Sequence, residues 1–226
     1  MSGYDILKAR GVTRLCHFTK FQSLTHIISS EYGVSASDSI RSDTKNATDI
    51  ARYDGELDYV CCSIEYPNSW FLQKAIQRDT NKIFNEWIVL YIDLEILNQK
   101  CAKFSLCNAS KANGAYINSQ IENIEIIFAD TIPTFQHSRS LQMLSCCPTD
   151  GQAEILIKDN IPRDFIIGIA VGNEDIAGRA YAMLKTCSVK QISIFIAPDV
   201  LTPAWSNMIK NGSRPSEIKC NWSEEK

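Results

Sequence analysis

The chain has 226 residues, 45% hydrophobic and 22% charged, with a formal net charge of −3. That is the composition of a globular chain long enough to bury a proper core, and its ten Gly and seven Pro exclude a collagenous or low-complexity sequence. The acidic balance argues against indiscriminate binding to nucleic acid or anionic membrane. The longest apolar run, Phe165 to Val171, falls well short of the ~18 residues of a membrane helix, and no basic-then-apolar secretory pattern opens the sequence, so the expected location is cytoplasmic with no membrane partner.

In chain order, Val12 to Phe18 reads as a short strand, and Phe21, Leu24, Ile27 and Ile28 then recur at helical spacing over about Lys20 to Ser30. Ser35 to Asp58 is polar and reads as a loop or short helices. Segments rich in Val, Ile or aromatics predict strands at 59–65, 87–93, 124–129, 153–158, 166–171 and 190–196, with helices at 69–79 and 173–186. Strands outnumber helices and do not alternate with them regularly. That favours an α+β fold around mixed or antiparallel sheets over a doubly wound one. With no repeat and no Gly-, Ser- or Pro-rich linker, residues 1–226 read as one domain.

Nine cysteines, an odd number and without a Cys-x-x-Cys spacing, argue for reduced thiols rather than a disulfide framework or a zinc site, and no metal is expected. Two segments lack acidic residues. One lies between Glu95 and Glu122 and carries Lys100, Lys103 and Lys111; the other lies between Asp130 and Asp150 and carries His137 and Arg139. They are either a positive face for a phosphate backbone or plain uncharged loops.

No Gly-rich phosphate loop, nucleophile elbow or His-Glu-x-x-His motif occurs. Three sparse polar features inside apolar segments remain. The first is Cys16-His17-Phe18-Thr19, where His17 is either a core histidine or a functional one and Thr19 could serve as a helix N-cap. The second is the strand from Tyr59 to Glu65, ending in Tyr66-Pro67-Asn68 before Trp70-Phe71. The third is Gln152-Ala153-Glu154, which runs into Ile155-Leu156-Ile157. A carboxylate inside such a strand either points outward or sits in a cleft with a task, because burying it unpaired costs several kcal/mol.

The collinear order of these features resembles the DarT family of nucleic-acid ADP-ribosyltransferases. The family's opening His-φ-Thr-x-x-x-Asn-Leu-x-x-Ile-Leu pattern, φ being apolar, is met by His17-Phe18-Thr19, Ser23-Leu24 and Ile27-Ile28. Its Pro-turn strand is met by Tyr59 to Trp70, its acidic-ended strand by Trp87 to Leu97, and its Gln-Ala-Glu strand by Gln152 to Ile157 with Ile161-Pro162 nearby. The similarity runs over about residues 14–200. Ser23 replaces the family's asparagine, and Cys61-Cys62-Ser63 replaces an aromatic-rich stretch.

The resemblance implies the split-sheet ADP-ribosyltransferase fold, with NAD as the ADP-ribose donor and no metal. It implies NAD contacts from His17, Thr19, Ser23, Leu24 and Ser63. Glu154 would stabilise the oxocarbenium-like ribose, and Arg52 (with Arg41 as the alternative) would hold pyrophosphate or polarise the target base. Tyr66 or Trp70 would offer a stacking face. A loop over 131–149 would read the acceptor through Phe135, His137, Arg139 and Met143. The acceptor would be a base of single-stranded DNA, guanosine ahead of thymidine, and the enzyme would be a toxin paired with an antitoxin. The alternatives are an RNA acceptor on the same fold, NAD hydrolysis or protein modification, and an inactive NAD- or nucleic-acid-binding module.

Overall fold

A computed structural model describes residues 1–37, 53–78, 86–132 and 137–221. The most apolar segment, Trp87–Ile92 (β4), is buried at all six positions, as expected of a central strand covered on both faces. It is flanked by Leu15–Lys20 (β1), antiparallel over all six residues, and by Ile166–Val171 (β11). On the other side of β1 come Tyr59–Ile64 (β3), Glu154–Lys158 (β9), Ala102–Ser105 (β5) and Ile117–Asn118 (β6). Beyond β11 lie Ser193–Ile196 (β12) and Ile218–Lys219 (β13). Among the described residues this makes one nine-stranded sheet in the order β13-β12-β11-β4-β1-β3-β9-β5-β6. Its β11–β12 pair is parallel and its other pairs are antiparallel.

Helices flank the sheet. Gly3–Ala9 (α1) starts in a capping box between Ser2 and Asp5. Leu24–Ser29 (α2) follows a 3-10 turn at Phe21–Ser23. Ser69–Arg78 (α3), Ile96–Gln99 (α4) and Ala204–Lys210 (α6) complete the set with Glu174–Thr186 (α5), where the Asn173 side chain accepts the Ile176 N–H as N-cap. Helix α5 joins β11 to β12, which is what allows those strands to run parallel.

The α+β class and the split sheet agree with expectation; three local readings do not. Residues 124–129 are not a strand but part of a 3-10 helix, Ile121–Phe128, packed against α1. Ile124 and Ile127 are buried there while Glu122, Asn123, Glu125 and Ile126 are exposed, a spacing of three that suits a 3-10 turn better than strand alternation. Thr19 does not cap a helix: it lies within β1, and the cap position of the following turn is Lys20. The positive-face reading of the first acid-free segment is weakened at two of its three lysines: Lys103 pairs with Glu56 at 2.7 Å and Lys100 donates to Asn160 at 2.7 Å.

Candidate active site

Strands β1 and β3 are hydrogen-bonded neighbours at just two positions, Leu15–Ile64 and Cys16–Ser63. Past them β1 stays with β4 to its end, while β3 stays with β9 to its own. The parting opens a cavity of about 480 Å³, within the size range of small-molecule sites. His17 and Thr19 reach it from β1, Ser63 from β3, Glu154 from β9 and Ser23 from the turn before α2. Its rim is set by Val34–Ser35 (β2), which pairs with Asn160–Ile161 (β10). Gly33 makes that pairing possible: its φ is +63°, and a Cβ there would stand 2.2 Å from the Ile161 carbonyl oxygen.

Glu154 is 6% exposed. Its Oε2 accepts the Ala109 N–H at 2.8 Å and its Oε1 accepts from Asn108 Nδ2 at 3.3 Å. Its partners across the strands are Ser63 on β3 and Ser105 on β5. The carboxylate thus sits inside, on the cavity wall, and hydrogen bonds to its oxygens offset the cost of burial. His17 Nδ1 lies 2.9 Å from the Cys61 carbonyl oxygen. A carbonyl only accepts, so Nδ1 carries the proton and the ring orientation is set. Burial pushes the neighbouring Cys107 thiol up to about 11 and Cys62 well above the ordinary thiol range, so both are neutral beside the carboxylate at physiological pH.

Two parts of the wall escaped the sequence reasoning. Asn108, Ala109 and Ser110 follow β5 and line the cavity; the only local signal is an Asn-x-Ser turn, and what brings it to Glu154 is the long-range β5–β9 pairing. Asp54, buried at 8% exposure, lies in what reads as an anonymous polar loop, and its Oδ2 faces the Cys61 thiol at 3.7 Å. Phe71, edge-on to Phe18 at 5.9 Å, and Tyr59 are the aromatics of the second segment that line the cavity.

Other expected positions are placed elsewhere. Leu24 is fully buried in the hydrophobic core and anchors α2 rather than lining the cavity. Tyr66 is buried and stacks on Trp205 at 5.4 Å, and Trp70 meets Trp205 edge-on at 5.5 Å, so these rings pack the core instead of offering a stacking face. Arg139 turns inward: its guanidinium donates to the Leu144 and Cys147 carbonyls and the Thr149 hydroxyl, organising its own loop instead of facing a phosphate. Met143 is half-buried against the core. His137 is exposed on His137–Ser138 (β8), which pairs with Thr131–Ile132 (β7), and its Nδ1 is 3.1 Å from the buried carboxylate of Asp150. Arg52, Arg41 and Phe135 lie outside the described residues. Among those described, no group of three metal-ligating side chains comes together, no helix is long and apolar enough to cross a membrane, and all nine cysteines are free.

A search of curated proteins finds no match. Several solved structures share the fold. Thermus sp. 2.9 DarT in complex with ADP-ribosylated ssDNA aligns with a TM-score of 0.62 at 17% identity, covering 84% of this chain and 96% of that one. The same protein with NAD+ gives 0.57 at 16% identity, over 83% and 96%. Thermosipho africanus DarTG in complex with ADP-ribose gives 0.57 at 14% identity, over 84% of this chain and 51% of that one. The family model described as "ssDNA thymidine ADP-ribosyltransferase, DarT" matches residues 16–202, most of the sequence and every strand that builds the cavity, so the chain belongs to the DarT family of NAD-dependent ADP-ribosyltransferases.

Proposed function

We propose that this chain transfers ADP-ribose from NAD to a nucleobase of single-stranded DNA, with the cavity between β1 and β3 as the NAD site and Glu154 as the catalytic carboxylate. The observation that carries the reading is the buried carboxylate of Glu154 lining the same cavity as His17 and Thr19. The family description and the fold shared with NAD- and ssDNA-bound Thermus DarT support it.

In the reaction the bond between C1′ of the ribose and the nicotinamide nitrogen breaks, and its electron pair neutralises the departing pyridinium. No acid is needed to expel that group; what needs stabilising is the positive charge developing on the ribose, as in glycoside cleavage. The Glu154 carboxylate, with N–H donors on both of its oxygens, supplies negative charge at that point without reorganising. A nitrogen lone pair of the acceptor base then forms the new bond to C1′, and its proton passes to Glu154 or to water. His17, Thr19, Ser23 and Ser63 hold the nicotinamide and ribose portions, and Arg52 or Arg41 serves the pyrophosphate or the target base. His137, poised by Asp150, is the acceptor-side contact that the observed loop geometry favours over Arg139.

Thymine is the first acceptor to test, because the family description names thymidine. Guanine is the second, motivated by Cys61-Cys62-Ser63 in place of the family's aromatics on β3. A base must leave the stack to reach such a cavity, which favours single strands. We also read the enzyme as a toxin held by a cognate antitoxin; the DarTG chain continues well beyond the region matched here.

The test uses labelled NAD with DNA oligonucleotides that each contain one of the four bases in an otherwise abasic or inert context, and with RNA counterparts. Label on a DNA strand, lost with Glu154→Gln, is the expected result. Label on RNA alone would reassign the acceptor. Release of free ADP-ribose with no strand labelled, or full labelling by Glu154→Gln, would overturn the proposal.

A further inference from the structure

The turn after β5 does more than close a loop. Asn108 is fixed at both ends of its amide. Its Oδ1 accepts the backbone N–H of Ser110 at 3.2 Å and the Ser110 hydroxyl at 2.5 Å, while its Nδ2 donates to Glu154 Oε1 at 3.3 Å. The next residue, Ala109, donates its backbone N–H to the other oxygen, Oε2, at 2.8 Å. One three-residue turn therefore grips both carboxylate oxygens from one side, and the Ser110 bonds decide which end of the amide faces the carboxylate. All three residues also line the cavity, so the grip is made on its surface.

We infer that Asn108 is a positioning residue for ADP-ribosyl transfer: with Ala109 it aims the Glu154 carboxylate and holds it in the orientation that faces the ribose. The inference rests on the role of Glu154 proposed above. A free carboxylate on a strand can rotate about its last torsion with little cost; one held at both oxygens by donors cannot. The titratable groups facing Glu154 from the surrounding elements are Cys62 on β3 and Cys107 after β5, with Asp150 beside Cys107; His17 and Asp54 line the same cavity. They are shared by parent and variants, so a change confined to Asn108 reports on the grip.

The experiment measures steady-state labelling of the oligonucleotide that the parent enzyme accepts, for Glu154→Gln, Asn108→Ala, Asn108→Asp and Ser110→Ala, each checked for folding by thermal melting. For Asn108→Ala we expect kcat to fall about 10- to 100-fold, the equivalent of one hydrogen bond to a charged group, with KM for NAD within about twofold of the parent. Ser110→Ala, which removes the hydroxyl bond to Asn108 Oδ1 but keeps the backbone one and does not touch Glu154, is expected to lower kcat by about threefold to tenfold on the same scale. Asn108→Asp sets a second carboxylate beside the first, so the acid limb of kcat/KM should move up by about one pH unit or more. A merely structural Asn108 would lower melting temperature or raise KM and leave that limb in place. Parent-like kcat in both Asn108→Ala and Ser110→Ala, or an unmoved acid limb in Asn108→Asp, overturns the inference while an inactive Glu154→Gln leaves the site reading intact. A fully active Glu154→Gln sinks both.

Discussion

Two carboxylates stand close together on adjoining strands of this sheet, and they differ in what meets them. Glu65, just past the end of β3 at φ +62°, is 1% exposed; its oxygens take the Thr13 N–H at 2.7 Å and the Arg214 guanidinium at 2.8 Å. Glu154 is nearly as buried, its oxygens accept from the Asn108 amide and the Ala109 N–H, and its carboxylate borders a cavity. Glu65 ties the segment around Arg214 to the sheet by a charge pair and does not line that cavity. Burial alone therefore does not mark a functional acid. A buried carboxylate that also lines a cavity is the better candidate.

That contrast can be broken by exchange. Glu154→Gln is expected to lower transfer at least about 100-fold with melting temperature nearly unchanged, since electrostatic groups of this kind are worth roughly 3 kcal/mol or more at the transition state. Glu65→Gln should do the opposite: a loss of about 1–3 kcal/mol in urea unfolding, discounted because Arg214 is half exposed, with kcat per folded molecule unchanged. If Glu65→Gln abolished turnover without affecting stability, the division between the two acids would be wrong.

Gly33→Ala tests the rim of the cavity. Strain at positive φ plus the clash with the Ile161 carbonyl should cost about 2–3 kcal/mol and weaken NAD binding, measured by calorimetry, through loss of the β2–β10 pairing. The smallest effect belongs to the surface. Arg179 holds the Glu86 carboxyl below its usual range. A lowered carboxyl contributes stability above its unfolded value and loses it as pH falls through the lowered one. Arg179→Ala should therefore cost under about 1 kcal/mol at neutral pH, and the difference from the parent should fade as pH falls through and below the ordinary carboxylate range in urea titrations. A difference that grew on acidification would contradict the pairing.

Much of this was legible in residue order. The β4 and β11 runs are apolar enough to announce central strands, and Asn173 before an amphipathic run announces α5. Glu154 stood out because three aliphatic residues follow it. Glu65 did not, since its guanidinium partner lies 149 residues away. Ile121–Phe128 misled because isoleucine favours strands by propensity, and packing on α1 overrode that preference. Arg139 looked like a phosphate contact because its segment lacks acids, but three acceptors from its own loop satisfy it.

By itself the sequence determined the α+β class, the principal strands, and the collinear His17, Ser63 and Glu154 segments that carry the family likeness, because local periodicity and motif order are written in neighbours. Only the tertiary structure decided where β1 and β3 part, which acid is left facing the gap, and that Asn108 and Ala109 grip it. Those depend on strand pairings between residues about fifty apart or more, and no local pattern encodes such a register.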